Sequence, residues 1–139
     1  MDCPIAVGDT FTHSVCVTSS VYNAFVECSG DTNLLHTDDA YAHKMGYQGK
    51  LMHGAMLNAF VSGFVGTGLP VADTLCLSQK INFRAPFFLN DTIMLQAKCR
   101  TILDDVIHPN HWVVDFKLTF IRDEMKIATG TLDVRLGAC

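Results

Sequence analysis

The sequence predicts an α+β domain, and two changes in its apolar pattern carry that expectation. Along the segment from Leu51 to Val65, the residues Met56, Leu57, Phe60, Val61, Phe64 and Val65 fall at helical spacing and share one face. After Pro70 the period drops to two, in four successive runs that read as strands with one buried face. Helical signals early and consecutive strands late are most simply satisfied by one antiparallel sheet wrapped around the long helix. A chain of 139 residues, 49% of them hydrophobic, makes one domain, 1–139, with a sizeable core.

Taken in order, Thr10 to Thr18 reads as an opening strand. Ser19 and Ser20 then offer N-caps for a helix bearing Val21, Phe25 and Val26, which Gly30 ends. A short helical turn runs from Asp38 to Lys44 and stops at Gly46. The long helix is expected from about Gly49 to Val65, with Gly66 and Gly68 as stops, and Gly54, Asn58 and Ser62 recur along it as a narrow small and polar stripe. In the strands, the inward sets are Leu75, Leu77, Gln79, Ile81 and Phe83; Ile93, Leu95, Ala97 and Cys99; Trp112, Val114, Phe116, Leu118 and Phe120; and Ala128, Gly130, Leu132, Val134 and Leu136. Arg122-Asp123-Glu124 marks the turn before the last strand.

Composition removes several classes of function. A net charge of -4 with no Lys/Arg run gives no basic surface to neutralise phosphates, so no nucleic-acid partner is expected. The six cysteines are too scattered for the paired spacing of a zinc site, and point to a reducing, cytoplasmic setting, with an organelle matrix as the alternative. The N-terminus, Met1-Asp2-Cys3-Pro4, has neither a signal-peptide nor a transit-peptide pattern. His53, Gly54, Asn58, Ser62 and Gly63 interrupt the longest apolar stretch, so no membrane span is expected. No glycine-rich phosphate loop, metal cluster or nucleotide fingerprint is present.

The chemistry is concentrated in Ser29-Gly30-Asp31-Thr32-Asn33-Leu34-Leu35-His36. On a continuous helix Asp31 and His36 would face different surroundings, but Gly30 and Asn33 allow the chain to fold back and bring the two together. Alone, Asp31 reads as a turn residue and His36 as a cap for the following helix. Together they form a carboxylate–imidazole pair able to share one water, which is a general acid/base device.

The run Phe25 to His36, followed by His53-Gly54-Ala55-Met56-Leu57 and Ser62, resembles the MaoC-like hydratase branch of the hot-dog superfamily, most closely the (R)-specific enoyl-CoA hydratases. Gly66-Thr67-Gly68-Leu69-Pro70, Phe83-Arg84-Ala85-Pro86 and Asn90-Asp91-Thr92 look like later signatures of the same family, so the likeness covers most of the chain. Two positions depart from the pattern. Leu34 stands where proline is usual, which would loosen the turn, and Asn90 where glycine often precedes the aspartate.

The resemblance implies a hot-dog fold and reversible addition of water to a trans-2-enoyl thioester, giving the (3R)-hydroxyacyl product. Asp31 and His36 would hold the water, the backbone N–H of Gly54 would receive the charge on the thioester oxygen, and Ser62 would hydrogen-bond and orient the catalytic histidine. The expected substrate-binding set is Asn33 and His53, which also read as turn and helix-start residues, Met52, Leu57 and Val65 for the acyl chain, and Arg84, with Lys50 and Lys80 as further candidates, for coenzyme A phosphates. Met56 and Phe60 add apolar surface that equally serves as core. No metal is implied, and coenzyme A enters only as the carrier of the substrate. The expected partners are an acyl-CoA thioester or an acyl-carrier protein, and a second copy of the chain in a homodimer. A 3-hydroxyacyl-acyl-carrier-protein dehydratase and a non-catalytic acyl-binding protein are the alternatives.

Overall fold

The computed structural model describes residues 1–138; Cys139, one of the six cysteines, lies outside them. The order of elements is β1 (Thr10–Cys16), α1 (Ser19–Ser29), α2 (Leu34–Thr37), α3 (Asp39–Lys44), α4 (Met56–Thr67), β2 (Thr74–Phe83), β3 (Thr92–Asp104), β4 (His111–Arg122) and β5 (Met125–Gly137). The strands form one sheet in the order β1-β3-β4-β5-β2, antiparallel throughout. Burying the apolar face of α4 joins it to this sheet. Met56, Leu57, Phe60, Val61, Phe64 and Val65 share one core with Ile93, Leu95, Phe116, Phe120 and Leu132, and Phe64 meets Phe116 edge-on with ring centroids 6.0 Å apart. Full burial of each such side chain is worth about 1.5–3 kcal/mol, so α4 is anchored by its packing rather than by its modest helix propensity.

Local chemistry sets the ends of the elements. Thr18 caps α1 by accepting from the Val21 amide, and Gly30 ends it in the left-handed conformation at φ 68°. Asn90 also sits at positive φ, 69°, a conformation asparagine tolerates well, which explains how it replaces glycine before Asp91.

The inward sets expected for β3 and β4 are buried as predicted, and so is that of β5 apart from the half-buried Gly130. Three expectations need correction. The long helix begins at Met56, not near Gly49, because residues 51 and 52 are drawn into extended structure: the Leu51 amide donates to the Leu35 carbonyl and the Met52 amide to Phe87. Residues 34–37 form the short helix α2, so His36 lies within a helix instead of capping one. In β2, a bulge between Cys76 and Ser78 breaks the alternation, so Leu75 and Leu77 are exposed and Cys76 turns inward with Gln79 and Ile81; Phe83, in phase with Ile81, is exposed at the strand's end, where its ring lies over Gly54.

Candidate active site

The turn between α1 and α2 is held by its own side chains. The Asn33 amide donates to Asp31 Oδ1 at 3.1 Å, the Leu35 amide to Asn33 Oδ1 at 2.9 Å, and Thr37 Oγ1 to the Thr32 and Asn33 carbonyls. Proline is therefore unnecessary at position 34: this network fixes the turn that Leu34 was expected to loosen. Asn33 serves as the N-cap of α2 and does not line the cavity described below.

His36 is aimed by the backbone. Its Nδ1–H donates to the Leu51 carbonyl at 2.8 Å, which leaves Nε2 as the free, proton-accepting nitrogen of the neutral ring. Its own carbonyl accepts from the Tyr22 hydroxyl at 2.7 Å. His36 Nε2 lies 3.9 Å from Asp31 Oδ2. That is beyond direct hydrogen-bond range, and it is a separation that one oxygen at about 2.8 Å from each group can bridge. Sequence reasoning could not find Leu51 in this role, since the contact is made by a main-chain carbonyl that any residue carries.

Gly54 lies just ahead of α4, and its N–H has no acceptor among the described residues. Adding a Cβ here would bring it to 3.1–3.2 Å from three carbons of the Phe83 ring, so the glycine permits close approach from β2. Beside it opens a cavity of about 330 Å³ lined by His36, Tyr47, Leu51, Met52, Gly54, Leu57, Phe83, Arg84, Ala85, Pro86 and Phe87. Its wall is largely apolar, with His36, Tyr47 and Arg84 as the polar, ionisable side chains. Tyr47, Phe83 and Phe87 join the expected lining residues; Phe83 opens the Phe83-Arg84-Ala85-Pro86 run and Phe87 follows it, whereas Tyr47, in the loop after α3, carries no comparable signal.

Of the expected site residues, His36, Gly54, Met52, Leu57 and Arg84 therefore meet at one cavity, with Asp31 beside His36. Others lie elsewhere. Ser62 is exposed on α4 and makes no hydrogen bond to His36; at 1.5 Å per residue it is about 12 Å along the helix from Gly54, and Leu51 orients the imidazole instead. Val65, further along the same helix, is buried in the core and does not line the cavity. His53 is only 2% exposed and stacks beneath His36. Lys50 places its Nζ 4.5 Å from the centre of the Tyr22 ring, outside this cavity, and Lys80 is an exposed residue of β2.

Asp31, His36 and His53 bring one ligand atom each to within 4.8 Å of one another, so a metal ion has to be considered. The rings of His36 and His53 are stacked at 26° with centroids 4.1 Å apart, however, so their in-plane lone pairs run side by side and do not converge on one point. His53 Nε2 is also committed to the Asp31 carbonyl at 2.9 Å. This arrangement suits proton transfer better than coordination.

A sheet curled round one apolar helix, with its polar groups gathered ahead of that helix, defines the hot-dog fold. The MaoC-like domain model matches residues 5–114, and the chain belongs to that family. It is 30% identical over 82 residues to the (R)-specific enoyl-CoA hydratase of Aeromonas caviae, a match covering 59% of this chain and 61% of that one. It is 30% identical over 90 residues to a mitochondrial 3-hydroxyacyl-[acyl-carrier-protein] dehydratase of Arabidopsis thaliana, covering 65% of this chain and 53% of the relative. These matches thus span between half and two thirds of the relatives' length. Among solved structures, the (R)-hydratase from A. caviae involved in PHA biosynthesis superposes with a TM-score of 0.83 at 25% identity, over 96% of this chain and 98% of that one.

Proposed function

We propose that this protein is an (R)-specific hydratase of trans-2-enoyl-CoA, running reversibly as a dehydratase. The observation that carries the reading is the 3.9 Å separation of Asp31 Oδ2 and His36 Nε2 beside a largely apolar cavity lined in part by Gly54, whose N–H has no acceptor among the described residues. Water held between the pair adds its oxygen to C3. The C2=C3 π electrons move toward the thioester, whose oxygen gains charge and accepts from the Gly54 N–H. One member of the pair takes a proton from the water and C2 receives one, so the net addition is H and OH with no external oxidant or reductant. His36 exchanges its proton at Nε2, because Nδ1–H is held by Leu51. Met52, Leu57 and Phe87 supply apolar wall for the acyl chain, and Arg84 a cation for a carrier phosphate.

The protein acts as a homodimer in this reading. Of the two sheet edges, β1 exposes Thr10, Thr12, Ser14 and Cys16, whereas β2 exposes Leu75, Leu77 and Phe83 along with Ser78, Lys80 and Asn82, beside its unpaired main chain. The apolar edge is the one suited to a second copy. It also carries Phe83 into the cavity wall.

A dehydratase acting on an acyl-carrier protein would use the same groups, so the deciding experiment compares carriers. Short and medium trans-2-enoyl-CoA and enoyl-acyl-carrier-protein are assayed in parallel, with chiral analysis of the product. Preferred turnover of the CoA thioester to the (3R)-hydroxyacyl product is expected; preference for the protein carrier favours the second reading, and turnover of neither overturns both. Among the described residues no helix is long and apolar enough to cross a membrane.

A further inference from the structure

One side chain around the site has no part in the chemistry just described, although it touches both members of the pair. His53 is 2% exposed and lines no part of the cavity, so it is out of reach of a substrate there. One face of its ring stacks on His36, centroid to centroid at 4.1 Å. Its Nε2 lies 2.9 Å from the Asp31 backbone carbonyl and 4.0 Å from Asp31 Oδ2. From α1, Phe25 and Tyr22 pack around it with ring centroids at 5.0 and 6.1 Å. Its Nδ1 is buried with no hydrogen-bond partner among the described residues.

Building on the hydration reading, we propose that His53 is a positioning residue: a neutral imidazole, protonated at Nε2, that sets the plane of the His36 ring and the height of the Asp31 turn. The hydrogen bond from His36 to Leu51 fixes where Nδ1 points, but leaves the ring free to rock about that bond. A flat ring stacked beneath removes this freedom. The Nε2–H of His53, donated to the Asp31 carbonyl, ties the turn that carries the carboxylate to the segment leading into α4. Both restraints act on the separation of Asp31 Oδ2 from His36 Nε2, and misplacement of a reacting group by about 1 Å can cost roughly a hundredfold in rate. The bare Nδ1 supports the same assignment. Phenylalanine would fill this place without burying an unpaired acceptor, which is destabilising; imidazole adds the donor at Nε2.

Two substitutions separate the restraints. His53→Phe keeps a flat face and loses the donor, while His53→Gln keeps a donor of similar reach and loses the face. With rates referred to folded protein, each is expected to lower kcat by about tenfold or more while KM for enoyl-CoA stays within about twofold. Wild-type kcat in both variants, or a rise in KM alone, would overturn the assignment. Independently of activity and of how the variants fold, ¹⁵N NMR of the wild-type protein near pH 8 should show His53 protonated at Nε2 and bare at Nδ1; the opposite tautomer would refute the proposal. A wild-type protein inactive on every enoyl thioester would instead refute the hydratase reading, with the tautomer still deciding the placement of His53.

Discussion

Gly130→Ala should destabilise the edge of the sheet that walls the cavity, whereas the same substitution at Gly66 should stabilise the protein. Gly130 of β5 pairs with Ile81 of β2, and a Cβ there would drive into the Lys80 carbonyl oxygen and lie 3.2 Å from Ile81 Cα. Those are backbone atoms, which cannot rotate aside as a side-chain tip can, so β2 has to retreat by about 1 Å, enough to stretch a 2.9 Å hydrogen bond out of range. Losing two ladder hydrogen bonds at about 1 kcal/mol each, with about 1 kcal/mol of apolar burial around Ile81, gives a destabilisation of about 3 kcal/mol. For a domain of this size that corresponds to a fall in Tm of about 10 °C. Gly66 is exposed in α4 with nothing within 4 Å of a new Cβ, so alanine there should add about 0.5–1 kcal/mol, or about 2–3 °C. Thermal unfolding followed by circular dichroism reads both. A Gly130→Ala melting point within 2 °C of wild type, or a Gly66→Ala protein equally destabilised, would refute the close-approach account.

Further outcomes are expected. Hydrogen bonding to the Pro109 carbonyl, then to the Asp73 carboxylate, raises the pKa of His111 above its ordinary value. The stability this histidine contributes is therefore fully present below its unfolded pKa of about 6.5 and is lost as pH rises through the raised folded value. The Tm gap between wild type and His111→Gln should accordingly be widest near pH 6 and close on the alkaline side; a gap that widens with pH would contradict the assignment. Cys3, Cys16, Cys28, Cys76 and Cys99 are free, so thiol titration of denatured, unreduced protein should find at least five thiols, and two or fewer would overturn the expectation of a reducing setting. Leu77→Lys, at an exposed position on β2, should shift the sedimentation coefficient from dimer to monomer at micromolar concentration; a wild-type protein already monomeric and fully active would remove the dimer from the account.

Strands β3 and β4 are legible because each buried position of the expected inward set is apolar, large throughout β4, and each outward one is polar, exposed or half-buried. Trp112, Val114, Phe116, Leu118 and Phe120 state their own register. Leu75 and Leu77 state theirs equally strongly, and misleadingly, since the bulge after Cys76 turns them to solvent through a backbone irregularity with no residue signature. The start of α4 was misread because Met52 and Leu51 belong to the same apolar stretch as Met56 and Leu57, while the hydrogen bonds that pull them straight come from Leu35 and Phe87, distant in sequence. In the site, the motif points to Asp31, His36 and Gly54, and the structure places His36 and Gly54 at one cavity with Asp31 beside His36. A helical stripe does not show which face of α4 meets the imidazole, and Ser62 lies exposed away from His36; the burial of His53 beneath His36 has no sequence signal either, since it depends on how α1, the Asp31 turn and the segment ahead of α4 pack together.

The central claim is that Asp31 and His36 act as one unit on one water. A double-mutant cycle in kcat for enoyl-CoA hydration, using Asp31→Asn, His36→Gln and the combination, tests it most directly. Each single substitution should leave folding and acyl-CoA binding largely intact and lower turnover by about a hundredfold or more, the scale of lost acid/base catalysis. The double variant should lose far less than the product of the two, because once either partner is gone the shared water is no longer activated. Near wild-type turnover in either single variant, or losses that simply multiply, would contradict the account.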